Sequence, residues 1–251
     1  MRDFTIALYT KFLNVLSQQA YTFQTLSGFL KKPKEKVIIL RNDVDKLPQN
    51  SLQFARIQNK MGIAGTYYFR VLPQSYNEKI IKEISELGHE IGYHYETMDT
   101  CKGNVDKAYE EFCRNLEKFR EIASIVTICM HGSPFSKYDN RAIWEKYDYK
   151  KLEIIGEPYF DFDFNKVLYI TDTGRRWNGN KVSIRDKVMQ TSLQKQYHFK
   201  STADIINKVD ALPNQMMLTF HPQRWSNNYF EWFKELVIQS AKNQIKRVIV
   251  K

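Results

Sequence analysis

The chain has 251 residues, which suits one large domain or one domain with a short extension. Hydrophobic residues make up 43% and charged residues 26%, the balance of a globular protein with a packed core. No run of about 18 apolar residues could form a transmembrane helix, and the first residues do not read as a signal peptide. We therefore expect a soluble, cytoplasmic protein. Three cysteines at irregular spacing argue against a disulfide framework.

The formal net charge is +10, and the basic residues are spread along the chain. A basic surface favours anionic partners, such as sugars that carry phosphate or the surface of a membrane. The sequence has no zinc-finger, helix-turn-helix or RNA-binding signature, so no nucleic acid is expected as a partner. Peripheral membrane association stays open, and no pattern sets the oligomeric state.

Residues 1–35 place apolar side chains at helical spacing, which predicts an N-terminal helical extension packed on a domain of residues 36–251. The first strand of that domain begins at Val37, where a continuous aliphatic run predicts burial on both faces of a parallel sheet. A helix over about 49–61 then ends before Gly62. Further strands are predicted at 65–71, 89–96 and 124–132, with helices at 77–87 and 104–121 between them. This alternation indicates a parallel α/β sheet or barrel.

The second half of the chain is less regular. The patterns there predict helices at 202–209 and 227–243 and strands at 167–174, 215–225 and 247–250. The last of these strands rests on a short apolar run and would close the fold after the final helix.

Acidic and imidazole side chains follow several of the predicted strands. Asp43 and Asp45 follow the first strand, His94 the third, His131 the fourth and His221 a late one. Because the carboxyl ends of the parallel strands of an α/β barrel form one face, we expect these side chains to meet there.

Two imidazoles and a carboxylate make the mixed nitrogen and oxygen shell of catalytic zinc and related divalent ions. Such an ion polarises a carbonyl and acidifies a water molecule. A second carboxylate can take the proton of that water, and a separate histidine can protonate a leaving amine. One carboxylate of the acidic pair could therefore bind metal while the other acts as the base.

Four segments in a fixed order resemble the polysaccharide deacetylases, also called the NodB-homology or carbohydrate esterase family 4 proteins. The likeness covers about residues 37–225 and is greatest to members associated with surface-polysaccharide biosynthesis. The matching segments are LRNDVDKLPQNSLQFARIQNKMGIAGTYYFR, ELGHEIGYHYE, MHGSP and MLTFHPQRW.

This resemblance implies a distorted (β/α)7 barrel that removes acetyl groups from N-acetylated sugars with a metal-activated water, zinc being the expected ion. It implies that Asp43 is the general base and that Asp45 and His94 are metal ligands. His221 would be the general acid. Main-chain N–H groups near Gly132 and Ser133 could form an oxyanion hole, since they follow the fourth strand.

The sequence departs from the family pattern at two places. The second histidine of the usual pair is replaced by Met98, a poor ligand for zinc. His131, Glu96 or Asp99 could supply the missing ligand, and we expect His131 because it follows a neighbouring strand. Otherwise metal binding would be weak or lost. The usual Arg-x-Pro-Tyr segment is replaced by MHGSP.

Two loops place arginine beside tryptophan, a combination that could bind substrate. Arginine can clamp a phosphate or carboxylate through two hydrogen bonds, and tryptophan can stack on a sugar ring. The candidates are Arg175, Arg176 and Trp177 in one loop and Arg224 and Trp225 in the other.

The sequence therefore predicts a metal-dependent deacetylase that acts on an N-acylated sugar, linked to a nucleotide or lipid carrier, in the synthesis of a surface polysaccharide. One alternative is a relative that has lost catalysis and binds a glycan or carrier, which Met98 favours. Another is a hydrolase of a non-sugar amide on the same scaffold.

Overall fold

The computed structural model describes residues 2–133, 136–177 and 188–249. Within these ranges seven strands form one sheet in which every pairing is parallel. The strands are β1 Thr22–Gln24, β2 Val37–Val44, β3 Thr66–Phe69, β4 Glu90–Tyr95, β5 Ile125–Met130, β6 Leu168–Thr171 and β7 Gln215–Phe220. Their order is β5-β4-β3-β2-β7-β6, and β1 pairs with the first half of β2.

Helices connect most of these strands, as a parallel sheet requires. In the described ranges they are α1 Ile6–Gln18, α2 Leu26–Lys31, α3 Pro48–Lys60, α4 Glu78–Glu86, α5 Thr97–Thr100, α6 Val105–Arg120, α7 Pro158–Asp161, α8 Ser192–Gln196, α9 Thr202–Asn207 and α10 Tyr229–Ile249. The caps are local: the side chains of Asn77 and Asn104 accept main-chain N–H groups at the starts of α4 and α6. None of the described helices is both long and apolar enough to cross a membrane.

Strand β2 lies at the centre of the sheet and is buried along its whole length. Its aliphatic first half, Val37–Leu40, packs into the core on both faces, as expected for a central strand of a parallel sheet. Its second half carries Arg41, Asn42 and Asp43, which are also buried. Because neighbouring strands run the same way, the polar end of β2 lies beside the ends of β3, β4 and β7.

The predicted α/β architecture with seven parallel strands is confirmed. In the described part of the chain the sheet is not closed, since its path ends at β5 on one side and at β6 on the other. A single parallel bridge joins Thr127 of β5 to Gly156, which begins to cover that edge.

Two expectations about the ends of the chain differ from the structure. The predicted strand at 247–250 is wrong, because α10 continues to Ile249. A short apolar run is equally compatible with a strand or a last helical turn, so periodicity cannot separate the two. The N-terminal extension contains α1 and α2 as expected, but it also supplies β1 to the sheet. A boundary near residue 35 stays a prediction.

Candidate metal centre and active site

Three side chains from the carboxyl ends of β2, β4 and β5 converge at one point. Asp45 follows β2, His94 lies in β4 and His131 follows β5. Asp45 Oδ1 is 3.7 Å from His94 Nε2 and 3.6 Å from His131 Nε2, and the three ligand atoms lie within 4.8 Å of one another. Ligand atoms around a tetrahedral zinc ion are about 3.3 Å apart. The three groups are thus close to the spacing of a shared ligand sphere.

His94 presents an unprotonated ring nitrogen to this point. Its Nδ1 lies 2.9 Å from the carbonyl oxygen of Cys129, and since a carbonyl only accepts, Nδ1 carries the hydrogen. Burial lowers the pKa of His94 to about 4, against the charge of Asp43, which raises it. The ring is therefore neutral at neutral pH, with its Nε2 lone pair directed towards Asp45.

His131 is held from behind by a carboxylate. Its Nδ1 is 3.3 Å from Glu96 Oε2, and Arg70 donates to both oxygens of Glu96 at 2.9 and 2.6 Å. Burial lowers the pKa of His131, but the hydrogen bond to Glu96 and the charge of Asp45 raise it overall. A carboxylate hydrogen-bonded to a histidine fixes the ring for metal binding. A metal bound at Nε2 would have to displace the proton that the protonated ring carries there.

Asp45 carries the observation that tests whether a metal fits. Its Oδ1 is buried and has no hydrogen-bond partner, whereas its Oδ2 accepts from Gln223 Nε2 at 3.1 Å. Burial raises the pKa of Asp45, but His131, His221 and His94 lower it well below its usual range. A buried, ionised oxygen without a donor is costly. The donor set of one carboxylate and two imidazoles therefore fits a divalent cation such as zinc.

Asp43 lies beside the cluster, with its Oδ2 3.9 Å from His94 Nε2. Arg41, two residues earlier on β2, donates from Nε to Oδ1 at 2.8 Å and from Nη2 to Oδ2 at 2.6 Å. Burial raises the pKa of Asp43, but Arg41 and His94 lower it overall. Sequence reasoning missed Arg41, although side chains at i and i+2 of a strand share a face.

His221 approaches from β7, with its Nε2 3.9 Å from Asp45 Oδ2. Its Nδ1 lies 2.5 Å from Asp172 Oδ1. Asp172 also accepts from Arg224 Nη1 at 3.1 Å and from Trp225 Nε1 at 2.7 Å. These bonds fix the ring so that Nε2 faces the cluster. Sequence reasoning did not identify Asp172, because its approach to His221 depends on the pairing of β6 with β7 in the folded sheet.

These side chains open into one cavity of about 620 Å³. Asp43, Asp45, His94, His131 and His221 are part of its lining. Polar and charged residues from the loop after β2 and from α10 complete the lining, namely Lys46, Glu235, Gln239, Lys242 and Lys246.

The three candidates for the missing ligand occupy different places. Of these three candidates, His131 is the one that places a ligand atom within 4.8 Å of those of Asp45 and His94. Glu96 lies behind His131, as described above. The carboxylate of Asp99 accepts from Ser136 and from Asn140, and Met98 is buried in the core.

The predicted substrate-binding residues are divided. Gly132 and Arg224 line the cavity, and the hydroxyl of Ser133 lies 3.3 Å from His131 Nδ1. The remaining four lie elsewhere. Trp177 and Trp225 are buried in the core, and Arg175 donates to the main-chain carbonyls of Arg224 and Trp232. Arg176 is exposed and is not among the described residues that line the cavity.

The fold and this site define a parallel α/β protein with a candidate Asp-His-His metal centre at the carboxyl edge of its sheet. No protein-family model matches the chain, and no curated protein matches it.

Several solved structures are similar to the chain. A family 4 carbohydrate esterase from Bacillus anthracis is 13% identical over 97% of this chain and 89% of that one, with a TM-score of 0.45. Bacillus subtilis PdaA, a family 4 carbohydrate esterase, is 17% identical over 92% and 83%, with a TM-score of 0.40. The catalytic domain of a peptidoglycan N-acetylglucosamine deacetylase from Eubacterium rectale is 14% identical over 84% and 86%, with a TM-score of 0.45. These proteins are of the kind that the sequence motifs resemble, but at such scores the likeness assigns no ligand or residue role to this chain.

Proposed function

We propose that the protein is a metal-dependent amide hydrolase that removes the acyl group from an N-acylated amino sugar. The observation that supports this most strongly is the convergence of Asp45, His94 and His131, with Asp43 and His221 in the same cavity. A carboxylate that can accept a proton and an imidazole that can donate one are the groups that amide hydrolysis needs beside a metal.

Asp45, His94 and His131 would hold the divalent ion, with zinc as the expected metal. Once bound, the ion would polarise the substrate carbonyl and make a water molecule more acidic. Glu96 and the carbonyl of Cys129 would keep the two imidazole rings in place.

Asp43 and His221 would move the protons. The water oxygen forms a bond to the acyl carbon, and Asp43 accepts the proton that the water loses. The carbon–nitrogen bond then breaks, and the nitrogen takes a proton from Nε2 of His221. Asp172 holds Nδ1 of the same ring, so Nε2 is the position at which the proton is exchanged.

The sugar substrate comes from the resemblance of the motifs and extends the proposal. The acylated sugar would be a carrier-linked precursor of a surface polysaccharide, processed in the cytoplasm. The basic residue Lys242 in the cavity lining suits a carrier that contains phosphate.

Acetate release tests this function directly. Zinc-loaded protein should release acetate from UDP-N-acetylglucosamine or from an N-acetylglucosamine oligomer, and the release should stop after chelation and return with zinc. The variant His221→Gln should lower kcat by about a hundredfold or more. His198→Gln, which changes a histidine outside the cavity lining, is the matched control. Absence of acetate from every acylated sugar supplied would contradict the proposal.

A binding protein without catalysis is the second candidate, and one contact favours it. Arg41 already occupies both oxygens of Asp43, which weakens that carboxylate as a base. A zinc-loaded chain that binds acylated sugars but releases no acetate would support this reading.

A further inference from the structure

The outward face of α10 exposes several large apolar side chains among its polar ones, which is unusual for a helix at a protein surface. Apolar side chains recur at three- and four-residue intervals along it and are largely exposed. They are Tyr229 at 66%, Phe230 at 74%, Phe233 at 49%, Val237 at 51% and Ile245 at 52% exposure. We call these five residues the α10 face.

The inward face of α10 is polar and is fixed to the rest of the protein by hydrogen bonds. Asn243 Nδ2 donates to the carbonyl of Gly174 at 2.8 Å, and Trp232 Nε1 donates to the carbonyl of Asp3 at 2.7 Å. Glu235 pairs with Lys46 at 3.0 Å. The helix therefore cannot turn its apolar side inward without breaking these contacts.

Contiguous exposed apolar side chains of this kind mark a surface that binds a partner or a membrane. Charge decides between the possible occupants. The chain carries a net charge of +10, and Lys234, the residue after Phe233 on α10, is exposed. Arg2 adds a guanidinium 5.2 Å from the ring of Tyr229. A second copy of the chain would bring the same positive charge against itself, whereas an anionic lipid surface would attract it.

We propose that the α10 face docks on an anionic membrane surface, with its aromatic and aliphatic side chains in the interfacial layer and with Lys234 and Arg2 at the headgroups. An apolar stripe with lysines beside it is the pattern of helices that lie in the membrane interface. The side of α10 that carries Glu235, Gln239 and Lys242 lines the cavity. Docking through the opposite side of the helix would therefore leave the cavity lining unobstructed.

Vesicle sedimentation tests this proposal. The wild-type protein should pellet with phosphatidylcholine vesicles that contain phosphatidylglycerol, should bind less to phosphatidylcholine alone, and should bind less as salt is raised. The double variant Phe230→Ser/Phe233→Ser should lower the partition coefficient by about tenfold or more. Lys234→Glu should weaken binding to the anionic vesicles and flatten the salt dependence.

The matched control is Phe160→Ser/Met189→Ser, which removes apolar side chains exposed by 51% and 77% away from α10. It should bind as the wild type does, and circular dichroism should show that all variants are folded. Failure of the wild type to pellet with anionic vesicles would overturn the proposal, as would equal loss in the control. Light scattering gives a further check: a dimer that only Phe230→Ser/Phe233→Ser dissociates, without vesicle binding, would assign the face to a second copy instead.

Discussion

Arg41 and Asp43 lie two residues apart on β2, and the guanidinium of Arg41 donates to both carboxylate oxygens of Asp43. The pair is buried, and Asp43 lines the cavity. Asp43 is thus held in one orientation and kept ionised, because Arg41 together with His94 and His221 lowers its pKa by more than burial raises it. The same contact that positions the candidate base also makes it a weaker base.

Removal of Arg41 should be strongly destabilising. Arg41→Met leaves a buried carboxylate without its partner, and we expect a loss of about 3–5 kcal/mol in the free energy of unfolding. The control is Arg56→Met, which breaks the exposed pair with Glu83 and should cost about 1 kcal/mol or less. Urea unfolding measures both, and equal losses would show that the Arg41–Asp43 pair contributes little.

Glu96 should affect metal affinity without binding the metal. Glu96→Gln removes the charge behind His131, and we expect zinc affinity to fall by about 10–100-fold. Glu83→Gln changes an exposed carboxylate of the surface pair and should leave affinity unchanged. Competition with a coloured chelator measures both affinities. Unaltered affinity in Glu96→Gln would mean that His131 is positioned by other contacts.

Asp172 should control the histidine that is proposed to act as the acid. Asp172→Asn leaves one acceptor oxygen for donors from His221, Arg224 and Trp225. We expect kcat to fall by about a hundredfold or more, with KM and zinc content nearly unchanged. Asp163→Asn, at an exposed position, is the control. A parallel loss of zinc would instead show a general disturbance of the site.

His89 should make the protein less stable in mild acid. Its Nε2 lies 2.9 Å from the carbonyl of Ala55, and its Nδ1 accepts the N–H of Gly65 at 3.2 Å, so the neutral ring is the one that fits. Burial lowers its pKa below the ordinary 6.5, against the Ala55 hydrogen bond, which raises it. The unfolded chain therefore binds this proton more readily, and stability present above about pH 6.5 is lost as the pH falls below it.

The comparison with His89→Gln isolates this effect. Urea unfolding with chelator present, from about pH 7.5 to 5, should show a smaller acid-dependent loss in the variant than in the wild type. The difference in slope should approach about 1.4 kcal/mol per pH unit, which corresponds to one proton. His94, whose pKa is also lowered, contributes to both proteins and cancels. Identical slopes would contradict the assignment.

Much of the site could be predicted from strand ends alone. The alternation of strands and helices places Asp45, His94 and His131 at one edge, because parallel strands end together. The partners that hold them could not be predicted in this way. Asp172 reaches His221 only because β6 pairs with β7, and that order is a property of the folded sheet.

The two tryptophans predicted to bind substrate were misassigned because their packing, too, is a property of the folded chain. Trp177 and Trp225 lie next to polar loop residues in sequence, but both rings pack with Phe220 in the core. A tryptophan beside arginine therefore indicates a sugar platform only when its ring is exposed. The strand predicted at 247–250 was wrong for a different reason. An apolar run of four residues is too short to show helical or strand periodicity, so it could not be recognised as the end of α10.

Zinc content per chain is the measurement that tests the metal centre most directly. Elemental analysis of purified protein, dialysed against zinc and then against buffer, should give one zinc per wild-type chain and one per Asp43→Asn chain. Asp45→Ala should retain almost none, because it removes the buried carboxylate oxygen that has no hydrogen-bond partner and faces both imidazoles. Equal zinc in Asp45→Ala and the wild type, or none in the wild type, would contradict the assignment of Asp45, His94 and His131 as a metal site.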